Sequence, residues 1–257
     1  MRPTSQATLR RTAEATILAA LYFVAAKGGL RLAFLHPSAT PIWPPTGIAI
    51  AALLVTGTRA WPGIFIGAFA ANLTTEGTGW TSLGIAAGNT LEAAVAAALV
   101  ERYAGGRRAF HRLEDIVRFA ALAAVLSTAI SATVGVTTLA SAGFVAWRAY
   151  GPVWLTWWLG DATSAVVVTP LLLLSIAEPR LGWTLRGAVE RLIFVIALLV
   201  ASVTVFGTRY PFSFAIVPLL LWAAFRFGTR DAAAVVVLVS AVAGTVHELG
   251  PFALTAR

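Results

Sequence analysis

The sequence predicts an all-α protein that crosses a membrane about eight or nine times as a polytopic helical bundle, with two short Pro/Gly-rich spans. Hydrophobic residues make up 58% of the 257 residues and charged residues 12%, about half the charged share of a soluble domain. The mean hydropathy is +0.82, and the apolar residues are gathered in long, repeated runs. The sequence lacks the alternating segments of about ten residues that are typical of an outer-membrane barrel.

Nine apolar segments are predicted to be membrane helices, because about 20 residues cross the hydrocarbon core. They are Ala13–Leu35, Thr46–Thr58, Trp61–Leu73, Thr81–Tyr103, Asp115–Ala142, Pro152–Ala177, Val189–Gly207, Phe212–Phe227 and Asp231–Glu248. The second and third are short, about 20 Å each. We predict that both cross fully, because a re-entrant hairpin would bury Arg59 at its tip. Residues 1–257 are thus predicted to form one integral membrane domain without a soluble part.

The basic residues predict the orientation of the chain. Alternate connections contain 14 of the 19 lysines and arginines, whereas the opposite connections hold only Arg148 and Arg209, with Arg257 at the end. Cytoplasmic loops carry an excess of Lys and Arg, so the N-terminus is predicted to be cytoplasmic. The net charge of +8 is explained by these loops, and no nucleic-acid partner is predicted.

Several kinds of chemistry are excluded by the residue types present. The sequence has no cysteine, which excludes disulfides, thiolate metal sites and cysteine nucleophiles. It also lacks a phosphate-binding P-loop, a His/Glu metal-ligand spacing and a serine nucleophile elbow. We therefore predict no cofactor, no metal ligand, no catalytic residue and no enzymatic activity.

Two acidic residues within apolar segments are the strongest candidates for a functional site. Glu92 and Asp161 lie near the middle of their segments, where an ionisable group costs about 2.5–3.5 kcal/mol. Counted from the predicted outer ends, both lie about 13–17 Å deep, as does Lys27, and Arg31 is one helical turn from Lys27. Because buried charges need partners, we predict a cluster of Lys27 and Arg31 with Glu92 and Asp161.

Polar and aromatic residues surround these charges. Asn89 and Ser164 lie three residues from Glu92 and Asp161 and share their helix faces. The predicted ligand-binding residues are Lys27, Arg31, Trp43, Asn89, Glu92, Trp157, Trp158, Asp161 and Ser164. Three other interpretations remain open. The tryptophans form an interfacial belt, the charges lock helices together without a ligand, or Glu92 is protonated and hydrogen-bonded without a basic partner.

Two small-xxx-small patterns, Gly63–Gly67 and Gly84–Gly88, predict close approach of helices. In a protein with many spans such contacts are more common within one chain, and a homodimer is the alternative.

Four motifs resemble a known family. They are Trp43-Pro-Pro-Thr-Gly-Ile-Ala49, Trp61-Pro-Gly-Ile-Phe-Ile-Gly-Ala-Phe69 with Asn72, Gly88-Asn-Thr-Leu-Glu92-Ala93 and Trp157-Trp-Leu-Gly-Asp161-Ala162. In this order they resemble the membrane-associated sensor domain of the first described type, the MASE-one domain, from about residue 15 to 253. Phe225-Arg-Phe-Gly228 and Leu249-Gly-Pro-Phe252 resemble its later segments.

The resemblance implies a sensory input domain in the bacterial inner membrane, in contact with membrane lipid. It would respond to a small ligand of unknown identity or to a membrane or periplasmic condition. Such domains usually precede a cytoplasmic histidine kinase or cyclic-di-GMP enzyme, which here would lie beyond Arg257 or on a partner protein. Family members generally have one more span before that output domain. The chain is therefore either a piece of a longer protein or a stand-alone relative.

Two other functions remain open. A small-molecule transporter, or the substrate-binding membrane subunit of one, also uses midplane charges and interrupted short spans. An intramembrane enzyme is the third alternative, but the sequence lacks a Cys, His, metal or Ser constellation to support it.

Overall fold

The computed structural model describes residues 5–31, 38, 40, 42–177, 184–207 and 212–245, and these form helices and connections without a strand. The helices are α1 (Ser5–Leu30), α2 (Pro44–Thr56), α3 (Trp61–Leu73), α4 (Gly79–Tyr103), α5 (Leu113–Phe119), α6 (Thr128–Ser141), α7 (Tyr150–Ala177), α8 (Leu185–Gly207), α9 (Val217–Phe227) and α10 (Thr229–Thr245). A π-helical stretch, Ala120–Ser127, joins α5 to α6. The all-α prediction is confirmed.

Six helical runs in the described residues are long and apolar enough to cross a membrane. They are Gln6–Leu30, Pro44–Leu73, Gly79–Tyr103, Leu113–Ser141, Trp147–Ala177 and Leu185–Gly207. Many large apolar side chains on them are exposed, among them Ile17, Val24 and Ile196, as a lipid-facing surface requires. The prediction of a polytopic membrane protein is confirmed.

The nine predicted segments all coincide with helices, although the ends of the first and last, 32–35 and 246–248, lie outside the described residues. The two counts differ because the run Pro44–Leu73 contains both α2 and α3, with the 3₁₀ turn 57–60 between them. In addition, α9 has 11 residues and α10 has 17, fewer than the roughly 20 that cross the hydrocarbon core.

The chain divides into two compact units, Met1–Thr169 and Pro170–Arg257. The division falls within α7 at Pro170, whose ring removes one intrahelical hydrogen bond. That residues 1–257 act as one domain stays a prediction.

In the first unit, α3 runs parallel to α1 in close contact with it. A Cβ on Gly63 would lie 2.6 Å from the carbonyl oxygen of Ala15, and one on Gly67 would lie 2.8 Å from that of Ala19. Gly84 of α4 likewise meets the side chain of Thr138 on α6. Both small-xxx-small patterns therefore pack helices within the chain, and a homodimer stays a prediction.

The short helix α2 runs antiparallel to α1. Gly29 near the end of α1 meets the carbonyl of Ile42 just before α2, whereas Thr56 at the end of α2 lines a groove with Glu14. The chain therefore reverses at the 3₁₀ turn 57–60, where Gly57 has φ +74°, a conformation that favours glycine. The predicted pair of short helices is found within two residues of its expected bounds.

Basic residues gather at the end of the first unit where this reversal lies. Arg107 donates from Nε to the carbonyl oxygen of Leu54 at 2.9 Å and from Nη2 to that of Val55. These bonds satisfy carbonyls at the C-terminal end of α2. They also place the basic segment after α4 beside the turn that contains Arg59, as expected if both face the cytoplasm. The cytoplasmic position of the N-terminus stays a prediction.

In the second unit, α8, α9 and α10 pack around an apolar core. The core residues are Phe194, Leu198, Ile216, Ala223, Val235 and Val239. Two ion pairs join the helices: Arg191 bonds Asp231 at 2.7 Å, and Arg226 bonds both carboxylate oxygens of Glu190 at 2.7 Å.

Candidate functional site

A buried group of polar and aromatic side chains lies where α1, α2, α4, α6 and α7 meet. We call it the polar centre; it consists of Tyr22, Trp43, Thr46, Asn89, Glu92, Ser131, Trp157, Asp161 and Ser164. None of these residues is more than 6% exposed. The group therefore lies inside the first unit, within helices long enough to cross a membrane.

Glu92 and Asp161 are the two acids of the polar centre, and their carboxyl groups are close enough to interact electrostatically. The hydroxyl of Thr46 donates to Oδ1 of Asp161 at 2.8 Å. Oδ2 of Asp161 and both oxygens of Glu92 have no hydrogen-bond partner among the described residues. Three buried carboxyl oxygens are thus available to a ligand.

Asn89, one turn before Glu92, connects α4 to its neighbours. Its Nδ2 donates to the hydroxyl of Tyr22 at 3.0 Å, and its Oδ1 accepts from Ser131 at 2.6 Å. The indole N–H of Trp157 in turn donates to Ser131 at 3.1 Å. This chain of hydrogen bonds fixes α1, α6 and α7 around Glu92.

The first turn of α2 is bound to α7. The N–H of Gly47 donates to Oγ of Ser164 at 3.0 Å, and the Gly47 carbonyl accepts from Thr169 at 3.2 Å. The first N–H groups of a helix lack partners inside the helix, so a side chain from α7 satisfies one of them. These contacts hold Thr46 against Asp161.

Trp43 completes the polar centre just before α2. Its backbone N–H donates to the carbonyl of Gly160 at 3.3 Å. Its indole lies beside Tyr22, but the indole N–H has no hydrogen-bond partner among the described residues. The polar centre therefore contains one unpaired donor besides its three unpaired acceptors.

The predicted pairing of Lys27 and Arg31 with the two acids is wrong. Lys27 Nζ donates to the carbonyl oxygen of Thr74 at 2.7 Å and to the hydroxyl of Thr75 at 2.9 Å. Arg31 follows α1 and is exposed. Lys27 therefore caps the end of α3, and neither base forms an ion pair with Glu92 or Asp161 in the described part of the chain.

Lys27 does not reach the acids because α1 ends earlier than predicted. The prediction extended the first span to Leu35, whereas the helix ends at Leu30. Five residues correspond to about 7.5 Å, so Lys27 lies that much nearer the helix end than expected. The α1 residue that meets the acids is Tyr22, more than one turn before Lys27.

Trp158 also lies away from the polar centre. Its indole N–H donates to the carbonyl of Val125 in the π-helical stretch at 3.0 Å, and its ring stacks on Trp154 with centroids 5.9 Å apart. Six of the nine predicted residues thus lie in the polar centre: Trp43, Asn89, Glu92, Trp157, Asp161 and Ser164. That they bind a ligand stays a prediction.

Three members of the polar centre were missed by the sequence analysis: Tyr22, Thr46 and Ser131. Thr46 stands in the Trp-Pro-Pro-Thr-Gly motif, so its place in that motif was the available signal. Tyr22 and Ser131 are single polar residues within apolar runs, and polar residues there usually face the bundle interior. That rule would have placed them inside, without naming their partners.

Chemically, the polar centre can accept a positive charge or a hydrogen-bond donor. It supplies carboxyl, hydroxyl and amide groups, and the described residues contain no cluster of three or more His, Cys, Asp or Glu side chains that could hold a metal ion. Two carboxyls alone do not define a catalytic mechanism.

Three of the four motifs that carry the family resemblance supply residues to the polar centre: Trp43 and Thr46 from the first, Asn89 and Glu92 from the third, and Trp157 and Asp161 from the fourth. The family model of MASE1 matches residues 15–256, nearly the whole chain. Comparisons with curated proteins and with solved structures gave no match. The chain therefore belongs to MASE1, a family of membrane-associated sensor domains of signalling proteins.

Proposed function

We propose that this protein is the sensory input domain of a bacterial inner-membrane signalling protein and that its polar centre receives the signal. The observation that supports this most directly is the pair formed by Glu92 and Asp161. Two buried carboxyls lie close enough to interact electrostatically, and among the described residues three of their oxygens have no hydrogen-bond partner and neither acid has a basic partner. Intramembrane acids are costly, so such an arrangement is best explained by a group that it binds.

The two acids belong to different sets of contacts. Asp161 on α7 is bonded to the first turn of α2 through Thr46. Glu92 on α4 lies one turn from Asn89, which is bonded to α1 and α6. A ligand that engages both carboxyls would favour one spacing of α4 and α7, and a ligand shifts a conformational equilibrium only by its differential affinity for the two states.

The output of this input domain would be a histidine kinase or a cyclic-di-GMP enzyme, on the same polypeptide or on a partner protein. The membership in a sensor family supports an output of this class, and the domain itself would have no catalytic activity.

The proposal is tested with Glu92→Gln and Asp161→Asn in the native host, with Glu101→Gln as control because Glu101 is an exposed carboxylate on the same helix as Glu92. The readouts are the amount of protein in the membrane and the signalling output, measured as cellular cyclic-di-GMP or as kinase phosphorylation. Both amide variants should reach the membrane at the wild-type level and lose the response, and the control should keep it. Loss of folded protein in both amide variants would support a structural lock instead.

A transporter is a second candidate, because the first turn of α2 is bonded to α7 at Asp161 and Ser164 and the chain then reverses after 13 residues. Short helices that begin at a buried polar site are a feature of transporters. Substrate accumulation in proteoliposomes that Asp161→Asn abolishes would favour transport over sensing.

A further inference from the structure

We infer that the polar centre is a binding site for an inorganic cation coordinated by oxygen, with Glu92 and Asp161 as its charged ligands. This inference specifies the ligand class of the proposed function and rests on it only for the use of the site as a signal receiver. The binding itself is argued from the contacts of the polar centre.

The two carboxyls of the polar centre are buried without a basic partner among the described residues. Glu92 is 1% exposed and Asp161 is 0% exposed, so neither carboxyl is in contact with bulk water. The basic side chain on the neighbouring helix α1, Lys27, is engaged at the end of α3. Two buried carboxyls that are both ionised repel each other, and the repulsion is relieved when a proton is taken up or when a cation binds between them. A cation between the carboxyls would supply the positive charge.

The atoms in the polar centre that could coordinate a cation are oxygens. Oε1 and Oε2 of Glu92 and Oδ2 of Asp161 have no partner among the described residues. The hydroxyls of Thr46 and Ser131 lie beside both carboxyls, and each already donates its proton elsewhere, to Oδ1 of Asp161 and to Asn89. Ser131 also accepts from the indole N–H of Trp157, so it retains one lone pair for a cation, and Thr46 Oγ1 also has lone-pair capacity. A set of oxygen ligands without thiolate or imidazole suits hard cations such as Na⁺, K⁺, Ca²⁺ and Mg²⁺.

Trp43 provides an observation that does not depend on the acids. The indole N–H of Trp43 is buried, with the residue 6% exposed, and has no hydrogen-bond partner among the described residues. It lies beside Tyr22, which interacts electrostatically with both acids. A hydrated inorganic cation brings a water oxygen that can accept a hydrogen bond from this N–H.

The test uses the purified full chain in lipid nanodiscs at fixed pH. NaCl, KCl, CaCl₂ and MgCl₂ are compared with choline chloride at matched ionic strength, and the thermal unfolding midpoint Tm is measured at increasing concentration. At 100 times its Kd the bound cation should raise Tm by about 5–10 °C. The increase should saturate, should be absent in Glu92→Gln and Asp161→Asn, and should persist in Glu101→Gln.

A direct measurement keeps the inference testable if the amide variants do not fold. Wild-type protein should bind about one equivalent of ²²Na⁺ or ⁴⁵Ca²⁺, and Thr46→Val should weaken that binding about tenfold. The inference is overturned if no salt differs from choline chloride and no isotope binds, or if both amide variants keep the Tm increase. Cation binding without any change in signalling output would support the site and contradict the proposed function.

Discussion

Gly47→Ala is the substitution that most sharply tests how the polar centre is held together. A Cβ at this position would lie 2.6 Å from the carbonyl oxygen of Ser164, 2.6 Å from Cβ of Val168 and 3.1 Å from Oγ of Ser164. All three atoms belong to α7, and two of them are backbone or Cβ atoms that cannot rotate away. The start of α2 would have to move from α7 by about 0.8 Å to reach ordinary contact distance.

That displacement would break the hydrogen bonds between the two helices. The bond from Gly47 N–H to Ser164 would lengthen from 3.0 Å and the bond from Thr169 to the Gly47 carbonyl from 3.2 Å, beyond the hydrogen-bonding range. Overpacking costs about 1–3 kcal/mol, and each lost bond costs about 1 kcal/mol. The free energy of unfolding should therefore fall by about 3–5 kcal/mol, which lowers Tm by about 6–20 °C.

Gly28→Ala is the matched control. Gly28 also lies in a helix, and a Cβ there would have no atom within 4 Å. Alanine favours an exposed helix interior by about 0.5–1 kcal/mol over glycine, so this variant should not lose stability. Both variants are purified in the same detergent, and Tm is measured by circular dichroism at 222 nm. A Gly47→Ala Tm within 2 °C of wild type would refute the close contact between α2 and α7.

Two further predictions concern charged groups outside the polar centre. Lys27→Met should lower Tm by only a few degrees, because it removes two hydrogen bonds at the end of α3. It should leave any cation-induced Tm increase unchanged. Loss of that increase would show that Lys27 contributes to the polar centre. Asp231→Asn should destabilise the protein more than Glu190→Gln in guanidinium titrations, because exposed ion pairs contribute little to stability. The side chains of Arg191 and Asp231 are 24% and 15% exposed, whereas those of Arg226 and Glu190 are 57% and 37% exposed. Equal effects of the two substitutions would contradict this order.

The helices were predictable because hydropathy and length decide where a membrane helix forms. Trp61–Leu73 has the same bounds in the sequence analysis and in the structure, and α2 differs from Thr46–Thr58 by two residues at each end. The end of α1 was missed because the apolar run continues to Leu35. The pair Gly28-Gly29 just before Leu30 was a breaker signal that hydropathy alone does not weigh.

The acids of the polar centre were predictable, but their surroundings were not. Glu92 and Asp161 stand out because carboxyls are rare in apolar runs. Their partners depend on which faces of the helices meet, and depth counted from helix ends carries no information about rotation around the helix axis. Tyr22 and Ser131 therefore became members of the polar centre only once the packing of α1 and α6 against α4 was known.

The arrangement of the first unit also bears on whether the acids serve as a structural lock. A lock between α4 and α7 requires attraction, and Glu92 and Asp161 attract each other only when one carboxyl is protonated and donates to the other. The helices are held together by other contacts: α6 approaches α7 so closely that a Cβ on Gly135 would lie 2.7 Å from the ring of Trp157, and α2 approaches α7 so closely that a Cβ on Gly47 would lie 2.6 Å from the carbonyl oxygen of Ser164. The fold thus has the means to assemble without the two carboxyls, whose proximity opposes assembly when both are ionised and neither a proton nor a cation joins them. Because these contacts do not involve the carboxyls, the amide variants are expected to fold, and the membrane level of Glu92→Gln and Asp161→Asn separates a ligand site from a structural lock.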